Sequence, residues 1–131
     1  GAAQVSELRE AGGPAGSISV VGASKGAAIA MIASHLVKDQ GVNYVLLGGC
    51  SAPTVEELTR QGVTLSGNVL SIYDSADASA GSCEELLSRT AGTALGRHEE
   101  LVLDIGTGHG ILYEPLPEWV VPTARWADPD G

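Results

Sequence analysis

The sequence predicts an α/β protein: one domain over residues 1–131, built on a short, mainly parallel sheet of about four strands flanked by helices. Three observations lead there. Short apolar runs rich in β-branched residues recur along the chain. Helical stretches separate them, and glycines or small polar residues mark most of the joins. Strands joined through helices lie parallel, and a parallel sheet needs cover on both faces.

The elements follow in order. Ala2 to Ala11 reads as a helix with Val5 and Leu8 on one side, broken by Gly12-Gly13-Pro14. Ile18 to Val21 is the first strand. Lys25 to Asp39 is an Ala-rich helix, apolar almost all round and therefore expected to be buried. Asn43 to Leu47 is the second strand, stopped by Gly48-Gly49. Thr54 is positioned to cap a polar helix that runs through Gln61, with Glu56 and Glu57 in its first turn. Val69 to Tyr73 is the third strand, Asp74 to Ser82 a small-residue loop, and Cys83 to Ala91 a helix. Leu101 to Ile105 is the fourth strand. A tight turn at Gly106 to Gly110 leads to a Pro-rich tail in which Trp119 and Trp126 are packing anchors.

Composition narrows the function. The 131 residues are 44% hydrophobic and lack phenylalanine, so the core is built from Ala, Val, Leu and Ile. A formal charge of −9 without a basic cluster excludes a nucleic-acid binder and disfavours anionic lipid surfaces. No segment reaches the ~18 consecutive apolar residues of a membrane span. The chain starts at Gly1 with no signal-peptide pattern, which points to a processed, tagged or truncated start. Cys50 and Cys83 form no metal or redox motif. They are expected as reduced thiols, and the chain as cytoplasmic.

The most informative stretch is Gly22-Ala23-Ser24-Lys25-Gly26, between the first strand and its helix. Strand, G-x-S-x-G, helix is the context in which this motif presents a serine nucleophile on a sharp turn. Glycine at both ends lets the backbone turn without a clashing Cβ. The backbone N–H of Lys25, at the helix start, is placed to meet negative charge developing on a substrate oxygen.

Such a serine needs a histidine base and a carboxylate to orient it. The chain has three histidines. His35 lies on the same helix as Ser24, about 16 Å away at 1.5 Å per residue, and cannot reach it. His98 precedes the fourth strand, on the wrong side of the sheet. His109 follows that strand at the C-terminal edge, where sites in parallel sheets collect. The carboxylate should follow the third strand, where Asp74 and Asp77 both qualify. Asp77, three residues further out, is better placed to swing toward the next strand. The order is then Ser24, Asp77, His109.

These segments resemble the α/β-hydrolases, the superfamily of serine esterases and lipases, and in particular the C-terminal half of that fold. Val20 to Gly26 resembles the nucleophile elbow, Val69 to Asp77 the strand with its acid, and Gly108-His109-Gly110 the histidine loop. In relatives the acid lies a few residues past the strand, which favours Asp77 over Asp74. The resemblance implies hydrolysis of a small-molecule carboxylic ester through an acyl-serine. Ser24 is then the nucleophile, His109 the base and Asp77 its orienting acid, with the Lys25 N–H at the oxyanion and no metal or organic cofactor. It also implies that the first strand lacks its usual neighbours, so a homo-oligomer is expected.

Other readings stand beside this one. A non-catalytic hydrolase-like fragment or interaction module would keep the motifs without a complete oxyanion hole. Leu103 to Gly110 resembles the glycine loop of S-adenosylmethionine-dependent methyltransferases, but it leads into Glu114-Pro115-Leu116-Pro117 rather than a helix. Gly22 to Gly26 also resembles the cofactor loop of short-chain dehydrogenases, yet no Tyr-x-x-x-Lys follows.

Overall fold

The computed structural model describes residues 18–90 and 94–128. The helix expected at Ala2 to Ala11 and its glycine-proline break lie outside the described residues. The described chain runs β1 (Ser19–Ala23), α1 (Lys25–Val37), β2 (Asn43–Leu47), α2 (Ala52–Arg60), β3 (Gly67–Asp74), α3 (Glu84–Thr90), β4 (Leu95–Leu103), a 3-10 turn (Gly108–Tyr113) and α4 (Pro117–Ala127). The strands form one sheet in the order β1-β2-β3-β4, every neighbouring pair parallel. The α/β class and the parallel sheet are as the sequence predicts.

Alternation across the pleat divides the core into two halves. Tyr44, Leu46, Val69 and Leu95 face a layer that holds Ala27, Ala30 and Met31 of α1, Leu58 of α2, and Leu86 and Leu87 of α3. Val45, Leu47, Leu70, Ile72 and Leu103 face the other way and pack against Trp126 and Trp119 of α4. Three crossover helices therefore cover one face, and the last helix returns to cover the other. Asn43–Leu47 is buried throughout, as befits a central strand covered on both sides.

Several elements differ from expectation. The helix after β1 is not buried all round. Ile29, Ile32 and Leu36 point outward at 56, 37 and 65% exposure. It ends at Val37, where Lys38 turns left-handed and donates its N–H to Ser34 O. The second helix begins earlier than Thr54. Ser51 is its cap and accepts the Thr54 N–H, and Pro53 lies in the first turn. The fourth strand starts six residues before Leu101, so His98 lies within it and pairs with Val69. The Pro-rich tail is a helix: Pro117 opens it, where a missing N–H costs nothing, and one further proline, Pro122, lies inside it.

Cys50 and Cys83 are joined by a disulfide, which overturns the reading of two reduced thiols. Thirty-three residues separate them. Closing a loop of that length stabilises the fold by about 4 kcal/mol relative to the reduced unfolded chain. The bond ties the segment after β2 to the start of α3. Alongside it the Gly81 N–H donates to Cys50 O at 2.8 Å.

The turn from β1 to α1 leaves no room at Gly22. A Cβ there would lie 2.2 Å from the Gly26 carbonyl oxygen. The sequence motif gives both glycines the same duty, but a Cβ at Gly26 meets nothing within 4 Å. Gly22→Ala should therefore destabilise the protein by at least ~2 kcal/mol, because rigid backbone must move. Gly26→Ala should be neutral or gain up to about 1 kcal/mol from helix propensity. Urea denaturation of the two variants measures the contrast, and equal effects would show that the turn relaxes.

Candidate active site

The strand-to-helix turn forces Ser24 into an uncommon backbone state, φ 53° and ψ −115°. For a residue with a Cβ this stores strain of order 1–3 kcal/mol, and neighbours must hold it in place. The Ser24 N–H donates to Leu47 O at 2.9 Å, and Ser24 O accepts from Ala27 N at 3.0 Å. These bonds fix the side chain at the C-terminal edge of the sheet.

His109 arrives from the 3-10 turn after β4. Its Nε2 lies 3.3 Å from Ser24 Oγ, and its Nδ1 lies 2.7 Å from Asp77 Oδ2. An ionised carboxylate only accepts, so Nδ1 carries the proton and Nε2 offers its lone pair to the serine hydroxyl. Ser24, His109 and Asp77 thus lie in one hydrogen-bonded line. His35 sits elsewhere and accepts the Thr64 N–H at 3.1 Å, while His98 stays near the start of β4.

The two carboxylates after β3 have separate tasks. Asp77 meets the imidazole. Its other oxygen accepts from Ser79 N at 2.9 Å, Ser79 Oγ at 2.8 Å and Ala80 N at 3.1 Å. Burial is the largest single influence on Asp77 and raises its pKa, but the hydrogen bonds from His109 and Ser79 outweigh it and hold the carboxyl below its ordinary value. Asp74 is fully buried and never reaches the histidine. It accepts from Ile105 N at 3.0 Å, Gly108 N at 2.8 Å and Ala76 N at 3.2 Å. The Ile105 N–H leads in holding the Asp74 carboxyl below its ordinary range, with Gly108 and Ala76 adding to it against burial and the neighbouring Asp77 charge.

A pocket of about 250 Å³ opens beside the line, bounded by Ser24, Lys25, Gly48, Gly49, Ser51 and His109. Lys25 is the first residue of α1, where backbone amides have no intrahelical acceptor. Gly48 is left-handed (φ 57°) and lies under the imidazole, where a Cβ would come within 3.5 Å of His109 Cε1. Sequence reasoning took Gly48-Gly49 only as the end of a strand, and it missed Ser79. The Asp-x-Ser pattern of Asp77-Ala78-Ser79 was the available signal, since an Asp side chain readily caps the amide two residues on. Among the described residues no group of His, Cys, Asp and Glu is arranged to hold a metal ion.

No protein-family model, curated protein or solved structure matches the chain.

Both aspartates are held below their ordinary values, so each contributes stability above the unfolded carboxylate pKa of about 3.9. That contribution disappears as pH falls through the folded values. Wild-type protein should hold its urea midpoint down to about pH 4 and lose it steeply below. Asp74→Asn places an amide NH2 among N–H donors and should be less stable at pH 7, the gap closing in acid. A pH-independent gap would show that Asp74 is not ionised in the fold.

Proposed function

We propose that the chain is a serine hydrolase of the α/β-hydrolase type, cleaving carboxylic esters through an acyl-serine. The observation that carries this reading is the line from Asp77 through His109 to Ser24. Ser24 Oγ bonds to the ester carbonyl carbon as its proton passes to His109 Nε2. The carbonyl π electrons move to oxygen, which is met by the Lys25 N–H. The tetrahedral species collapses, the C–O bond to the alcohol breaks, and the imidazolium returns the proton to the leaving oxygen. Water then repeats the sequence on the acyl-serine and releases the acid. Asp77 holds the proton on Nδ1 and stabilises the imidazolium. The small pocket beside Ser24 suits an ester of a small or activated alcohol better than a peptide.

The disulfide favours an oxidising compartment over the cytoplasmic location expected from the sequence. Among the described residues no helix is long and apolar enough to cross a membrane. A second copy of the chain is the proposed partner. Among the described strands β1 is an edge, and α1, which packs on it, exposes Ile29, Ile32 and Leu36.

A fluorophosphonate should label wild-type protein at Ser24, and Ser24→Ala should abolish labelling and turnover of p-nitrophenyl acetate. Asp77→Asn should lower kcat by about 10⁴, because the imidazole then adopts the wrong tautomer. Full turnover in a folded Ser24→Ala protein would end this reading. Sedimentation velocity at micromolar concentration should show a dimer or larger species, and Leu36→Glu should shift it toward monomer. A concentration-independent monomer would dismiss the second copy.

A further inference from the structure

A second and larger concavity adjoins the site. Its volume is about 1250 Å³, and it runs between α2 and α3 under the loop that carries Asp77. Ser51 and Ser79 line both it and the pocket that holds Ser24, so the two are neighbours across these small side chains. Val55, Ala78 and Ala80 give the groove apolar walls, and Thr59, Arg60 and Arg89 close its far end. From Ser51 to Thr59 the helix rises about 12 Å, the length of a chain of roughly ten carbons.

The charges along it are sorted. Glu85 lies in the first turn of α3 and Glu56 midway along α2, both nearer the catalytic end. The two guanidiniums stand at the far end. Arg60 is already paired with Glu57. Among the described residues Arg89 has no carboxylate partner, and its guanidinium is held by Thr59 Oγ1 at 2.6 Å. A carboxylate placed midway would meet Glu56 and Glu85, whereas at the far end it meets Arg89.

The direction of the substrate follows from His109. The leaving oxygen must lie against His109 Nε2 to be protonated. His109 borders the small pocket and not the groove. The alcohol therefore leaves on the pocket side, and the groove takes the acyl arm.

Resting on the ester-hydrolase reading, we propose that the groove between α2 and α3 binds the acyl arm of the substrate and that Arg89 binds a carboxylate at that arm's end. The substrate class is a monoester of a linear dicarboxylic acid of about ten carbons, an arm matched to the ~12 Å rise.

The test measures binding to the Ser24→Ala protein by calorimetry, with monomethyl sebacate and the neutral methyl 10-hydroxydecanoate as probes. The anionic probe should bind about ten-fold more tightly. Arg89→Gln should remove that preference, and Arg89→Lys should restore most of it. Equal affinity for the two probes, or a preference that survives Arg89→Gln, overturns the proposal. Turnover of p-nitrophenyl acetate by wild-type protein separates the two readings. Turnover without an Arg89-dependent preference leaves the hydrolase standing and removes the groove. Arg89-dependent binding without turnover or fluorophosphonate labelling keeps the anion-ended groove and removes the hydrolase.

Discussion

Asp74 ends β3 without any exposed surface, and its carboxylate gathers N–H groups from three places. A buried carboxylate is tolerable only when such donors replace water. The donors chosen here determine the site. Ala76 belongs to the loop that goes on to Asp77. Ile105 and Gly108 belong to the segment that goes on to His109. One side chain therefore sets where both loops leave the sheet, and so sets the 2.7 Å contact between Asp77 and His109. Ser75 reinforces the same junction, its N–H donating to Leu103 O and its hydroxyl to Asp104.

The far side of the Asp77 loop is held by different chemistry. The disulfide fixes Cys83, and the Glu100 carboxylate of β4 accepts the Cys83 N–H at 2.6 Å and the hydroxyls of Ser71 and Ser82. The acid loop is thus anchored at its start by Asp74 and at its end by Cys50 and Glu100. Ser24 is fixed independently, through the crowded Gly22 turn and the bond to Leu47 O. The strained serine and the anchored histidine meet because β1 and β4 belong to one rigid parallel sheet whose C-terminal edge they share.

Most of this fold was legible because strand, helix and glycine signals are local. Asn43 to Leu47 is an unbroken apolar run and reads as a buried strand. What escaped was decided by context. Gly96 to Glu100 is polar and half solvated, so periodicity gave no sign that β4 begins at Leu95. The prolines of α4 read as breakers, although Pro117 stands where a helix tolerates it. Ile29, Ile32 and Leu36 look like core residues, yet α1 has only one face against the sheet. Chain order narrowed the site residues to Ser24 and His109. The place of Asp77, three residues past the strand end, favoured it over Asp74, but nothing local signalled that Asp74 would collect the N–H groups of Ala76, Ile105 and Gly108. The disulfide was illegible, since spacing says nothing of where two side chains point.

The spatial order of the strands is also their order along the chain. Among the described residues no strand has to be inserted between two that already pair, so the sheet can grow by accretion as the polypeptide leaves the ribosome. Each new strand closes only a loop of one crossover helix, a small entropic demand. Trp126 behaves differently. It must travel back across the finished sheet, past β3 to the underside of β2, before Val45 and Leu47 are shielded. The half of the interior beneath β2 and β3 is therefore sealed last, and a nascent chain arrested before residue 117 would carry a formed β1–α1 turn above a bare apolar floor.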